Sequence, residues 1–150
     1  MANRALIGKT FPPVTATIDA DSVKAFVRAL GDTNPLHVDE AAANASSFGA
    51  IVAPPTYPIA FMAQSMAGAA SSFEELGLNF MTLVHGEQEF EYERPVTAGE
   101  TLTLTARIAD VSERQARSGV LDILVLETDA TDAAGKLVFA SRQTLVSRRM

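Results

Sequence analysis

The chain has no cysteine, and only two of its 150 residues are histidines, His37 and His85. Without thiols, disulfide frameworks, thiolate nucleophiles and thiolate metal sites are excluded. Basic residues are in the minority: twelve Lys and Arg against eighteen Asp and Glu leave a net charge of −6. Neutralising a phosphate backbone needs a basic face, so nucleic acid is not expected as a partner. Residues 1–10 lack the apolar core of a secretory signal, which points to a cytoplasmic location. Charge is missing altogether from residues 41–73. Pro54, Pro55 and Pro58 interrupt that run, and its uninterrupted apolar part, residues 59–70, falls well short of the ~20 residues of a membrane span. The run reads as a buried segment, with no membrane insertion.

What is present suits one domain over residues 1–150, with 47% hydrophobic and 20% charged residues, near the average for globular chains. Residues 14–19 alternate weakly. Asp21 or Ser22 then offers an N-cap, and Val23, Phe26, Val27 and Leu30 recur at helical spacing. Gly31 stops that helix, Asp32-Thr33-Asn34-Pro35 is a dense turn signal, and a short alanine-rich helix over residues 39–45 follows. Residues 46–55 form a loop that leads into a helix over residues 56–70. That helix is apolar on nearly every side and is therefore enclosed by protein. The second half reads as strands. Residues 87–93 put Glu87, Glu89, Glu91 and Glu93 on one face and two aromatics on the other. Residues 101–108 point Leu102, Leu104, Ala106 and Ile108 inward, and residues 121–128 and 137–145 follow after glycine turns. Helices first and antiparallel strands afterwards give an α+β domain, with a strongly curved sheet wrapped around the enclosed helix.

Imidazole chemistry near neutral pH must use His37 or His85. His37 lies five residues after Asp32 across a loop stiffened by Pro35. Such a loop can hold a carboxylate and an imidazole around one water, which one group activates while the other delivers a proton. The same residues also fit a plain helix-terminating turn in which Asp32 bonds nearby backbone amides. His85 precedes the acidic strand and reads first as a strand-edge residue packing on the sheet, with a supporting role at the site as the alternative. The glutamates are spaced too regularly by the strand to converge on a metal ion. Arg94, Arg117, Lys136 and Arg142 read as surface charges, with phosphate contact as the alternative.

The run Ala29-Leu30-Gly31-Asp32-Thr33-Asn34-Pro35-Leu36-His37-Val38-Asp39 resembles the signature of the (R)-specific enoyl-CoA hydratase family, also called hydratase 2 or MaoC-like. Gly49-Ala50-Ile51-Val52-Ala53-Pro54-Pro55-Thr56, His85-Gly86-Glu87-Gln88-Glu89-Phe90-Glu91-Tyr92, Arg94-Pro95 and Ala98-Gly99-Glu100 are similar to its FAS1-like dehydratase N-terminal branch. The resemblance implies a hot-dog fold. It also implies an activity, interconversion of trans-2-enoyl and (R)-3-hydroxyacyl thioesters, with Asp32 and His37 as the water-activating dyad and Asn34 ordering their loop. In the family a backbone amide at the start of the central helix polarises the thioester carbonyl. Here Pro54 and Pro55 stand at that place and carry no amide hydrogen. The resemblance therefore moves the donor to Thr56 or Tyr57, with Gly49 nearby, or removes it.

That departure leaves a rival of another class, a non-catalytic subunit that binds the acyl thioester beside a catalytic MaoC-like partner. A thioesterase, the third possibility for this fold, is opposed by the loop signature. The resemblance implies no metal or redox cofactor, coenzyme A or acyl carrier protein as the thioester carrier, and a homodimer or a heterodimer with another MaoC-like subunit.

Overall fold

The computed structural model describes residues 3–62, 75–78, 82–117 and 119–148. Five antiparallel strands form one sheet in the order β1-β3-β4-β5-β2. They are β1 (Val14–Thr17), β2 (Leu83–Tyr92), β3 (Thr101–Ala116), β4 (Gly119–Thr131) and β5 (Leu137–Arg148). Four strands, β2 to β5, run further than their sequence alternation suggests. In β3, Leu102, Leu104, Ala106 and Ile108 are buried as expected. A bulge between Ile108 and Asp110 then shifts the phase by one residue, so that Val111 becomes the next buried side chain. The strand continues to Ala116, which pairs with Gly119 of β4. The β4–β5 turn closes on Asp132, whose Oδ1 accepts the amides of Ala134 (2.9 Å) and Lys136 (3.0 Å).

Between β1 and β2 lie the helices α1 (Ala20–Leu30), α2 (Pro35–Val38) and α3 (Glu40–Ala45). The cap of α1 is Asp19 rather than Asp21 or Ser22: its carboxylate accepts the Ser22 amide at 2.8 Å, which leaves Asp21 in the first turn. Val23 and Val27 are fully buried, and Phe26 meets the edge of Tyr57 at 5.4 Å. Leu30, counted in the same apolar stripe, is instead exposed. Residues 59–62 are helical, with Phe61 and Met62 buried and Ile59 exposed. The rest of the helix expected over 56–70 lies outside the described residues. No helix among the described residues is long and apolar enough to cross a membrane.

The apolar interior is in two parts. One gathers Val23, Val27, Leu102, Leu104, Ala130 and Phe139, and the other Phe11, Ile108, Val111, Leu124, Leu126 and Leu145. Between them, on the same face of the sheet, runs a polar band. Thr128 pairs with Ser141 and Gln143 with Gln88; the first three are buried. The Ser141 Oγ and Gln88 Oε1 atoms are buried without a hydrogen-bond partner.

Candidate active site

The loop after α1 is built by a chain of local hydrogen bonds. Gly31 takes the left-handed conformation, φ 71°, which ends the helix without a Cβ penalty. Asp32 then uses its two oxygens differently. Oδ1 accepts the Asn34 amide at 2.9 Å, the turn contact allowed for above, while Oδ2 lies 3.9 Å from His37 Nε2. Asn34 caps α2 by accepting the Leu36 amide at 3.1 Å, and Pro35 follows in the first turn, where no amide hydrogen is needed. One helical turn later this brings His37 back over Asn34, with Asn34 Nδ2 at 3.4 Å from Nε2.

His37 is 8% exposed. Its Nδ1 lies 2.7 Å from the Val52 carbonyl oxygen, and a carbonyl only accepts, so Nδ1 carries hydrogen. Nε2 therefore holds the lone pair of the neutral imidazole. The segment around Val52 is itself fixed: the Val52 amide donates to Leu36 (3.0 Å), Ala53 donates to Val96 (2.8 Å) and Ala98 donates to Ile51 (2.8 Å). A gap of 3.9 Å between Oδ2 and Nε2 is too long for a direct bond. One water accommodates it, at ~2.8 Å from each atom.

His37 and Asn34 form one side of a cleft of about 530 Å³, walled also by Val52, Ala53, Pro55, Tyr92, Arg94 and Val96. Asp32 is not a wall residue; its Oδ2 lies 3.9 Å from Nε2 of the wall residue His37. Tyr92 and Arg94 are cleft residues that the loop motif does not reveal. The Tyr92 hydroxyl donates to the Pro55 carbonyl at 2.7 Å, and burial pushes its phenol up to about 12. Arg94 is held by Glu100 (2.8 Å) and Asp132 (3.5 Å), and Glu100 also accepts the Thr97 amide at 2.6 Å.

The other expected site residues fall elsewhere. Gly49, φ 67°, turns the loop after α3 and donates to Ser46. The Tyr57 amide donates to the Pro54 carbonyl at 2.9 Å, which closes the turn and removes it as a free donor. Thr56 is exposed. His85 is exposed on β2 opposite Leu145, seven residues before Tyr92 and so ~23 Å away along the strand; it is not brought to the cleft. Glu87, Glu89, Glu91 and Glu93 are all exposed, and of these Glu93 lines the cleft beside Arg94. No group of three metal-ligating side chains is found among the described residues.

The family model for the FAS1-like dehydratase domain region matches residues 5–141. A UPF0336 protein of Streptomyces griseus is 35% identical over 147 residues, 97% of this chain and 95% of that protein. Among solved structures, the C-terminally truncated HadBC (3R-hydroxyacyl-ACP dehydratase) complex from Mycobacterium tuberculosis is similar with a TM-score of 0.77 and 26% identity. The match covers 95% of this chain and 97% of that one. A MaoC-like dehydratase is similar with a TM-score of 0.79 and 27% identity, over 96% of this chain and 42% of its own longer chain.

Proposed function

Since the chain belongs to the family of the FAS1-like dehydratase domain region and has the hot-dog fold of MaoC-like dehydratases, we propose that it interconverts trans-2-enoyl and (R)-3-hydroxyacyl thioesters. The observation that carries this reading is the 3.9 Å separation of Asp32 Oδ2 and His37 Nε2 beside a largely apolar cleft. In the hydration direction a water sits between them. Asp32 accepts one of its hydrogens and the Nε2 lone pair takes the other as the water oxygen bonds to C3. The π pair of the C2–C3 bond moves onto the thioester as an enolate, and the proton held on Nε2 is then delivered to C2, so the elements of one water are added and the imidazole is restored. Dehydration runs the same steps backwards. Asn34 holds the loop, with its Nδ2 3.4 Å from Nε2. Water and these side chains suffice for the step, without a metal or redox cofactor, and the thioester is carried by coenzyme A or an acyl carrier protein. The proposed setting is the cytoplasm.

The protein acts as a dimer, because β1 and β2 leave the two edges of the sheet unpaired among the described residues. A homodimer is the first expectation. The HadBC relative is a complex, which supports pairing with a second MaoC-like subunit as the alternative. The rival reading, a thioester-binding subunit without chemistry, is favoured by Pro54, Pro55 and the engaged Tyr57 amide.

The test is hydration of crotonyl-CoA, and of longer trans-2-enoyl-CoAs, by the purified protein, with the product's configuration determined. Asp32→Asn and His37→Ala are each expected to lower turnover by ~10²–10⁴-fold while the fold is kept. Binding of enoyl thioesters with no turnover at any chain length, and activity only after mixing with a second MaoC-like protein, would replace the enzyme by the subunit reading.

A further inference from the structure

The backbone amides near the cleft can be accounted for one at a time. Val52 donates to Leu36, Ala53 to Val96 and Tyr57 to Pro54, while Pro54 and Pro55 have no amide hydrogen. Thr56 alone is left, and its direction is set by its own peptide group. No peptide bond among the described residues is cis, so the Thr56 N–H points opposite to the Pro55 C=O. That carbonyl points at the Tyr92 hydroxyl, 2.7 Å away. The Thr56 amide therefore faces away from Tyr92, a wall of the cleft. No amide from Val52 to Tyr57 is both free and turned toward that hydroxyl's side of the cleft.

We infer that the Tyr92 hydroxyl is the catalytic donor that polarises the thioester carbonyl, in place of the missing backbone amide. This rests on the reading of the cleft as an enoyl and hydroxyacyl thioester site. Tyr92 shares the cleft with His37, and its hydrogen already goes to a carbonyl oxygen, the acceptor a thioester presents. Rotation about the phenolic C–O bond redirects that hydrogen from Pro55, which is exposed and finds water instead. Of the other polar walls, the Arg94 guanidinium is held by Glu100, Asp132 and the Pro95 carbonyl, the Asn34 amide nitrogen is turned to His37 Nε2, and the Glu93 carboxylate accepts hydrogen bonds rather than donating them. The Tyr92 ring is held against Phe139 at 5.4 Å and Phe90 at 6.2 Å, so the donor is fixed before substrate arrives, the condition for effective electrostatic stabilisation. Its raised phenol keeps it protonated through the physiological range. As the π pair moves onto the thioester oxygen, the O–H bonds to the growing negative charge and remains on Tyr92, and the balance of the addition is unchanged.

The experiment uses butyryl-CoA labelled with ¹³C at the thioester carbonyl, which has no double bond to hydrate, and reads the bound carbonyl by infrared difference spectroscopy. The stretch is expected at lower wavenumber on the wild-type protein than in solution. In Tyr92→Phe, which keeps the ring contacts, it returns to the solution value, and crotonyl-CoA turnover falls about 10²-fold with far less change in KM. An identical carbonyl shift and turnover in Tyr92→Phe overturns the assignment, including the case where the variant only melts earlier through loss of the Pro55 contact. The infrared arm needs binding alone. Asp32→Asn is expected to lose turnover and keep the shift. A wild-type protein that shifts the carbonyl without turnover, with the shift lost in Tyr92→Phe, therefore removes the hydratase reading and leaves Tyr92 as the donor to the thioester carbonyl of a binding subunit.

Discussion

Nδ1 of His37 lies 2.7 Å from the carbonyl oxygen of Val52, fifteen residues further along the chain. The contact fixes which nitrogen is protonated, and with it the direction in which the imidazole can act. The first prediction follows directly. In nitrogen NMR of the neutral ring, Nδ1 is expected as the protonated atom and Nε2 as the bare one. Finding the opposite tautomer would remove His37 as the base toward the Asp32 side.

Asn34 has two jobs that substitution separates. Asn34→Ala loses the cap on the Leu36 amide and is expected to cost ~1 kcal/mol in a denaturant titration. Asn34→Asp keeps an oxygen for that cap and should stay near wild-type stability, yet it loses the Nδ2 donor 3.4 Å from His37 Nε2. Turnover is expected to fall in both, by up to about 10²-fold, through misplacement of the imidazole. Full activity in Asn34→Asp would confine Asn34 to capping.

The carboxylates around Arg94 hold the wall opposite. Glu100→Ala releases Thr97 as well as Arg94 and is expected to destabilise by about 2 kcal/mol. Arg94→Ala, at a more exposed group, is expected to cost ~1 kcal/mol or less. Asp132 adds a pH dependence. The Lys136 amide first, then the Ala134 amide and Arg94, hold its carboxyl below the usual 3.8. Its contribution is thus fully present above that value and is lost as pH falls through the lowered one. Acid unfolding followed by circular dichroism should begin at higher pH in Asp132→Ala than in the wild type.

Tyr92 gives the opposite limb. Its folded phenol stands at about 12 against an unfolded value of ~10, so between them the native state holds a proton that the unfolded chain has released. Stability therefore falls as pH rises through that window. Tyr57, also raised by burial, contributes in the same direction. The decline in urea midpoint across the window should be shallower in Tyr92→Phe; an unchanged slope would mean that the Tyr92 phenol is no more buried than in the unfolded chain.

What the sequence makes legible here is periodic or local. The inward row Leu102, Leu104, Ala106 and Ile108 shows itself by alternation, Gly31 by stopping an apolar repeat, and Asp32 with His37 by a spacing that a single turn fixes. The α1 cap was hidden because Asp19 precedes two further residues of cap type, Asp21 and Ser22. The length of β3 was hidden by the bulge at Ile108, which breaks the very alternation used to read it. Tyr92 and Val52 join the site through contacts that only chain closure creates. Tyr92 meets Pro55 across 37 residues and His37 meets Val52 across fifteen, and no short motif encodes either. His85 shows the converse, since a rare residue beside a family-like motif still sits at the far end of its strand.

The polar band of Thr128, Ser141, Gln143 and Gln88 has a consequence for how the molecule comes apart. Burial of apolar area drives cooperative unfolding, and across this band that coupling is interrupted, with buried Ser141 Oγ and Gln88 Oε1 unpartnered. The sheet is therefore expected to open in two zones with different free energies. Amides around Arg114 and Gln115, exposed near the Ala116–Gly119 end, are expected to exchange with solvent through local fraying. Those around Leu102, Ala130 and Phe139, packed under α1, wait for global unfolding. The Asp32–His37 loop is anchored to the second zone, so the far end of the sheet can breathe while the dyad keeps its geometry.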